Sequence, residues 1–119
     1  MPRPIAARIS LSALSHNLHV VTDQLCPADT APAYPRPLVW AVIKANAYGH
    51  GLLNAVRAFA GADGLAMLDL NEAVRCREAG WTKPILLLEV FFELADIAVL
   101  DRHQISMTVH NREQLDMLR

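Results

Sequence analysis

The chain has 119 residues, of which 53% are hydrophobic and 19% charged, and a formal net charge of -1, so it reads as one packed domain rather than a disordered segment. Its lysines and arginines are scattered, which removes the electrostatic basis for a nucleic-acid surface, and no run reaches the ~18 apolar residues of a membrane span. No apolar core follows Arg3 and Arg8 as a signal peptide would require, and Cys26 and Cys76 lack metal-ligand spacing, so the default is a cytoplasmic protein with reduced thiols.

Ile5 to Ile9 reads as a short β-like segment. Leu11, Leu14, Leu18, Val21 and Leu25 then recur at steps of 3, 4, 3 and 4, one face of a helix that Ser10 or Ser12 can cap. Pro27, Pro32, Pro35 and Pro37 make the next stretch a surface connection. From residue 38, strand-like apolar runs centre near Ala41, Ala66, Leu87 and Met107, with helix-like segments in the gaps. The first helix is expected at about Leu52–Ala60. The second opens at Asp69 with Glu72 as its capping-box partner and stops at Gly80. The third is expected from about Phe92 to Leu100. A fourth opens at Asn111, with Gln114 in the capping-box position and Leu115 and Leu118 facing inward.

Strand–helix alternation at this period predicts an α/β fold of βαβ units on a parallel sheet. Pro84-Ile85-Leu86-Leu87-Leu88 is apolar on both faces, as a sheet covered by helices requires. Four units do not close a (β/α)8 barrel of ~250 residues. Together with the absence of a C-cap signal at Leu118-Arg119, this reads as the N-terminal portion of something larger.

The chemistry concentrates in Lys44-Ala45-Asn46-Ala47-Tyr48-Gly49-His50-Gly51, at the end of the apolar run Leu38 to Ile43. Strand alternation puts Trp40, Val42 and Lys44 on one face and Val39, Ala41 and Ile43 on the other. Lys44 then projects at the carboxyl end of a strand, where α/β sheets bind ligands. Partial desolvation there favours a free amine suited to imine formation with a cofactor such as pyridoxal phosphate. The same pattern also fits a strand-end lysine reaching solvent. Tyr48 can donate to a phosphate oxygen or pack a turn. Gly49 and Gly51 suit a sharp strand-to-helix turn that Asn46 helps to organise, and His50 reads as a loop hydrogen-bonder. His103 and His110 have no metal-ligand companions, Asp69 and Glu72 read as helix caps, and Phe91-Phe92 beside Glu93 read as core.

Ala41-Val42-Ile43-Lys44-Ala45-Asn46-Ala47-Tyr48-Gly49-His50-Gly51 resembles the cofactor-attachment segment of the alanine racemases, fold-type III pyridoxal-phosphate enzymes. The resemblance extends over nearly the whole chain, through His16-Asn17-Leu18, Asn71-Glu72-Ala73, Pro84 to Glu89 and Thr108-Val109-His110-Asn111, and is strongest to bacterial members. It implies that residues 1–119 are about four β/α units of a (β/α)8 barrel, preceded by a short strand and a helix, with a C-terminal β domain lying outside this sequence. It implies a cytoplasmic homodimer that interconverts L- and D-alanine by two-base proton transfer on a pyridoxal-phosphate aldimine. Lys44 would hold pyridoxal 5'-phosphate and act as the base for the D-enantiomer. Tyr48 would contact the phosphate, and Val42 and Leu88 would line the cofactor. No metal, membrane or nucleic acid enters the reaction.

The family's second base and its arginine partners of the cofactor have no counterpart here, so the chain is expected to be inactive alone. Val90 stands where the family leads one to expect glycine. A racemase of another amino acid, or a non-catalytic vestige that still binds the cofactor, are the alternative expectations.

Overall fold

The computed structural model describes residues 3–26, 36–89 and 92–119, so the connection over residues 27–35, Val90 and Phe91 lie outside the described residues. Helix α1 (Leu11–Leu25) starts where Ser10 accepts from the Ala13 amide. Leu18 alone on its apolar stripe is buried, while Val21 and Leu25 stay exposed. The β-like reading of Ile5 to Ile9 is not realised. Residues 3–10 join no ladder, and Ile5 is 88% exposed because no strand among the described residues pairs with it.

Four strands follow: β1 (Trp40–Val42), β2 (Gly64–Met67), β3 (Ile85–Leu87) and β4 (Ser106–Met107). All pair in parallel in the order β1-β2-β3-β4, each beside its predecessor. Trp40 stands opposite Gly64 and Val42 opposite Ala66, and Ala66 in turn opposite Leu86. A parallel register keeps such neighbours on one face. At β1 the two faces differ in burial, whereas β2 is buried on both. Ile43, Leu65, Met67, Ile85 and Leu87 are fully buried on the helix side, each stabilising the fold by about 1.5–3 kcal/mol. Trp40 and Val42 remain about two-fifths exposed on the other side. The Trp40 ring lies over Gly64, where an added Cβ would meet ring carbons at 2.5 Å, so only glycine fits beneath it.

Between the strands lie α2 (Lys44–Tyr48), α3 (Leu52–Ala58), α4 (Leu70–Glu78) and α5 (Asp96–Arg102), and α6 (Arg112–Met117) follows β4. The helix expected from Phe92 begins only at Asp96, whose carboxylate accepts from the Glu93 amide instead of continuing the helix backwards. At α6, Asn111 accepts from the Gln114 amide and Gln114 accepts from the His110 amide. Gln114 is the buried residue there, whereas Leu115 and Leu118 stay exposed, because α6 docks through Gln114 and Met117 rather than through its leucines. No helix among the described residues is long and apolar enough to cross a membrane.

Two polar anchors tie the amino-terminal edge of the sheet. Arg36 grips Asp63 with two parallel bonds of 2.7 and 3.0 Å, and Asp63 also accepts from the Val39 amide at 2.8 Å. The Arg36 guanidinium, helped by that amide, lowers the Asp63 carboxyl from 3.8 to about 2. A carboxyl depressed in the folded state contributes stability that is full above its unfolded value and lost as pH falls through the folded one. Stability is accordingly expected to drop between about pH 4 and pH 2. Asp63→Asn should flatten that limb of an acid-unfolding curve, and an unchanged limb would remove Asp63 from the account.

Arg77 is the second anchor. From α4 it donates to the carbonyls of His103 (2.8 Å), Trp81 (2.9 Å), Gln104 (2.9 Å) and Lys83. It thus binds the turns that lead into β3 and β4. Burial lowers its pKa. Removing the guanidinium leaves the part-buried carbonyls of His103 and Trp81 without their donor, so Arg77→Met, which keeps the aliphatic stem, should cost about 2 kcal/mol in urea unfolding. A cost below about 0.5 kcal/mol would mean that water replaces the guanidinium.

Candidate active site

β1 ends at the carboxyl edge of the sheet, and its ladder continues one residue further, with the Ile43 amide bonded to Ala66 O at 2.8 Å. Ile43 turns into the core at 0% exposure, and its ψ of 29° leaves the extended region, so Lys44 opens α2 rather than prolonging β1. Lys44 is half-buried, and among the described residues no hydrogen bond or ion pair engages its amine. The sequence holds two lysines, and the other is committed. Lys83 Nζ donates to Ala60 O at 2.6 Å and Ala62 O at 2.8 Å and sits 5.3 Å from the Trp81 ring centre. Lys44 is thus the lysine whose amine is available.

The turn after Lys44 is not the glycine-driven bend that the sequence suggests. Ala45, Asn46, Ala47 and Tyr48 all have φ between 53° and 56°, with ψ near 50° at the first three. This is a left-handed helical turn built from four residues that are not glycine. Each such L-residue costs roughly 1–2 kcal/mol relative to right-handed geometry. Glycine enters only at the exit, where Gly49 (φ 88°) donates to Ala45 O and Asn46 O.

Contacts from outside the turn hold it. Asn46 Oδ1 accepts from the Leu52 amide at 2.8 Å, and the Asn46 amide donates to Glu72 Oε1 at 3.3 Å. His50 Nδ1 lies 2.9 Å from Ala47 O, so that nitrogen carries the proton because a carbonyl only accepts. Asn46 and His50 therefore act as the loop organisers read from the sequence. Glu72 does not. Asp69 caps α4 alone by accepting from the Asn71 amide at 2.7 Å, and the Glu72 carboxylate reaches across to the left-handed turn. Sequence spacing could not reveal this, because Asn46 and Glu72 lie 26 positions apart.

Tyr48 is 60% exposed, and among the described residues its hydroxyl has no hydrogen-bond partner. Leu88 continues β3 by donating to Met67 O at 2.9 Å, and alternation puts it on the same face as Leu86 and Val42. Val42 and Leu88 thus share a face at the carboxyl end of the sheet, with Lys44 two residues past Val42 at the start of α2 and Tyr48 at the end of that turn. His103 ends α5, where its carbonyl accepts from Arg77, and His110 precedes α6. Among the described residues no group of His, Cys, Asp or Glu could hold a metal. Cys76 is fully buried, and burial pushes its thiol up to about 11, so it packs as a protonated apolar group.

Pyridoxal phosphate needs an amine for its aldehyde, an apolar floor for its ring and donors for its phosphate. An unengaged Lys44 amine just past the end of β1, with Val42 and Leu88 on one face of the adjoining sheet and the Tyr48 phenol in the same turn, is compatible with that set.

Parallel β/α units with their uncommitted amine and phenol at the carboxyl ends of the strands define the class: part of a β/α barrel with its reactive groups at the ligand-binding end. Comparison with known proteins narrows the class. Residues 9–119 match the family described as alanine racemase, N-terminal domain, and the chain belongs to that family. It is 64% identical over 118 residues to the alanine racemase of Bordetella petrii and 49% identical to that of Burkholderia mallei. Each match covers 99% of this chain and 31% of the relative, so the chain spans about a third of the length of these proteins. Among solved structures, the alanine racemase from Acinetobacter baumannii superposes with a TM-score of 0.78 at 29% identity, covering 92% of this chain and 28% of that one. That from E. faecalis gives 0.75 at 34% identity, covering 91% and 27%.

Proposed function

We propose that this chain supplies the cofactor lysine and one of the two proton-transferring groups of a pyridoxal-phosphate-dependent alanine racemase. The observation that carries the reading is the half-buried, unengaged Lys44 amine just past the carboxyl end of β1, where Val42 and Leu88 share a face of the sheet. Lys44 would bond the cofactor and, once the substrate amine replaces it, move a proton to and from the α-carbon on its own face. Tyr48 would hold the phosphate from the left-handed turn. Val42 and Leu88 would support the ring and keep water from that face. The bound cofactor supplies an electron sink that lowers the cost of the α-carbanion.

Inversion needs a second proton donor on the opposite face, which we assign to chain beyond residues 1–119, in a homodimer whose C-terminal domain completes the site. Residues 1–119 by themselves then form the N-terminal part of the cofactor-binding domain and do not racemise alanine. The setting is the cytoplasm, and the reaction supplies D-alanine for wall peptidoglycan or serves alanine catabolism.

The test joins residues 1–119 to the remaining part of the Bordetella petrii relative. After pyridoxal phosphate is added and reduced with borohydride, peptide mapping should find the label on Lys44 and not on Lys83, and the chimaera should interconvert L- and D-alanine. Label on Lys83 alone, or a chimaera that binds the cofactor but racemises only another amino acid, would overturn the assignment of residue or substrate respectively.

A further inference from the structure

We propose that Glu72 and Asn46 are positioning residues that hold the left-handed turn and thereby aim Lys44 and Tyr48. The inference rests on the reading of Lys44 given above. A left-handed turn leaves its first amides without partners, just as the first turn of any helix does. The Asn46 amide is one of these, and Glu72 supplies the acceptor at 3.3 Å. Glu72 is free to do so because Asp69 caps α4 without its help.

Asn46 joins three elements. Its amide binds α4 through Glu72, its Oδ1 caps the Leu52 amide of α3 at 2.8 Å, and its carbonyl accepts from Gly49 and Gly51 at 3.2 and 3.0 Å. Residues that must stay left-handed without being glycine persist only where their surroundings over-determine them. Lys44 lies two residues before Asn46 and Tyr48 two after, so release of Asn46 lets both ends of the turn relax. The effect would appear first as lost alignment of an amine and a phenol, because Ile43 and Ala47 remain anchored in the core.

The experiment uses the full chain. Glu72→Ala should speed hydrogen exchange at the Asn46 amide and weaken pyridoxal 5'-phosphate uptake, read from the absorbance of lysine-bound cofactor, each by about tenfold. Far-UV circular dichroism should be unchanged. Glu72→Gln keeps an acceptor oxygen and should fall between the two. Ala45→Gly in the Glu72→Ala background should restore uptake, because glycine holds positive φ unaided. Exchange at the β2 and β3 amides should stay as in the unaltered chain, since a general loss of stability, which Ala45→Gly would also offset, would speed them together with Asn46.

Unchanged exchange at Asn46 in Glu72→Ala overturns the proposal. So does faster exchange with undiminished uptake, or uptake that Ala45→Gly fails to restore. If the unaltered chain takes up no cofactor at Lys44, the reading of Lys44 falls and the aiming role falls with it, while the exchange rate still reports whether Glu72 holds the turn.

Discussion

Lys44→Ala, placed in residues 1–119 joined to the rest of the Bordetella petrii relative, is expected to abolish covalent cofactor attachment and lower racemisation in both directions by about 10⁴-fold. The loss has two sources. The amine that would bond the cofactor is gone, and so is the proton-transferring group on that face of the substrate. No neighbour replaces it, since Lys83 is tied to Ala60 O and Ala62 O on a different part of the fold. Lys44→Arg should not rescue, because a guanidinium stays protonated and forms no imine under these conditions. Added methylamine should recover part of the rate by taking over proton transfer. Residual activity within about tenfold of the unaltered protein would show that Lys44 is not the attachment point. Tyr48→Phe should leave attachment intact and weaken cofactor affinity by about tenfold, the effect of one lost phosphate hydrogen bond.

The second large effect concerns the backbone. Ala47 is buried at 5% exposure with φ 56°, a conformation that a β-branched side chain adopts only under strain. Ala47→Val adds that strain to overpacking beside Ile43 and should destabilise the fold by about 3 kcal/mol or more. Ala45→Gly should act in the opposite sense. Ala45 is exposed at φ 53°, so glycine relieves about 1–2 kcal/mol of left-handed strain and leaves no cavity. Greater freedom of the unfolded chain offsets about 0.5–1 kcal/mol of that gain. A net stabilisation of about 0.5–1 kcal/mol is expected by denaturant unfolding, contrary to the usual penalty of Ala→Gly in a right-handed helix. Destabilisation by Ala45→Gly would mean that the turn is not left-handed in solution.

Much of the parallel sheet was legible before any coordinates. A strand buried on both faces is written as a continuous apolar run, and the near-regular spacing of Ala41, Ala66, Leu87 and Met107 reports one β/α unit after another. Side-chain alternation separated Val42 from Ile43 because it depends only on neighbours along one strand, but it does not reach Lys44, which opens the left-handed turn. Ser10, Asp69 and Asn111 were legible as caps for the same reason, each bonding within three residues of itself. The inward reading of Leu115 and Leu118 failed because periodicity identifies an apolar stripe without saying which part of it finds a partner. Ile5 and Ile9 show the same limit, since β propensity does not create a strand to pair with.

The sequence by itself determined which groups follow β1: an amine, and a phenol four residues on. Only the tertiary structure decided the backbone between them. Nothing in Ala45-Asn46-Ala47-Tyr48 demands positive φ, and local sterics oppose it. The conformation is set by Leu52 and Glu72, six and 26 positions from Asn46, which meet it only once α3 and α4 have packed on the sheet. Local preferences are legible in a chain, whereas a strained turn is specified by groups that folding brings to it from elsewhere.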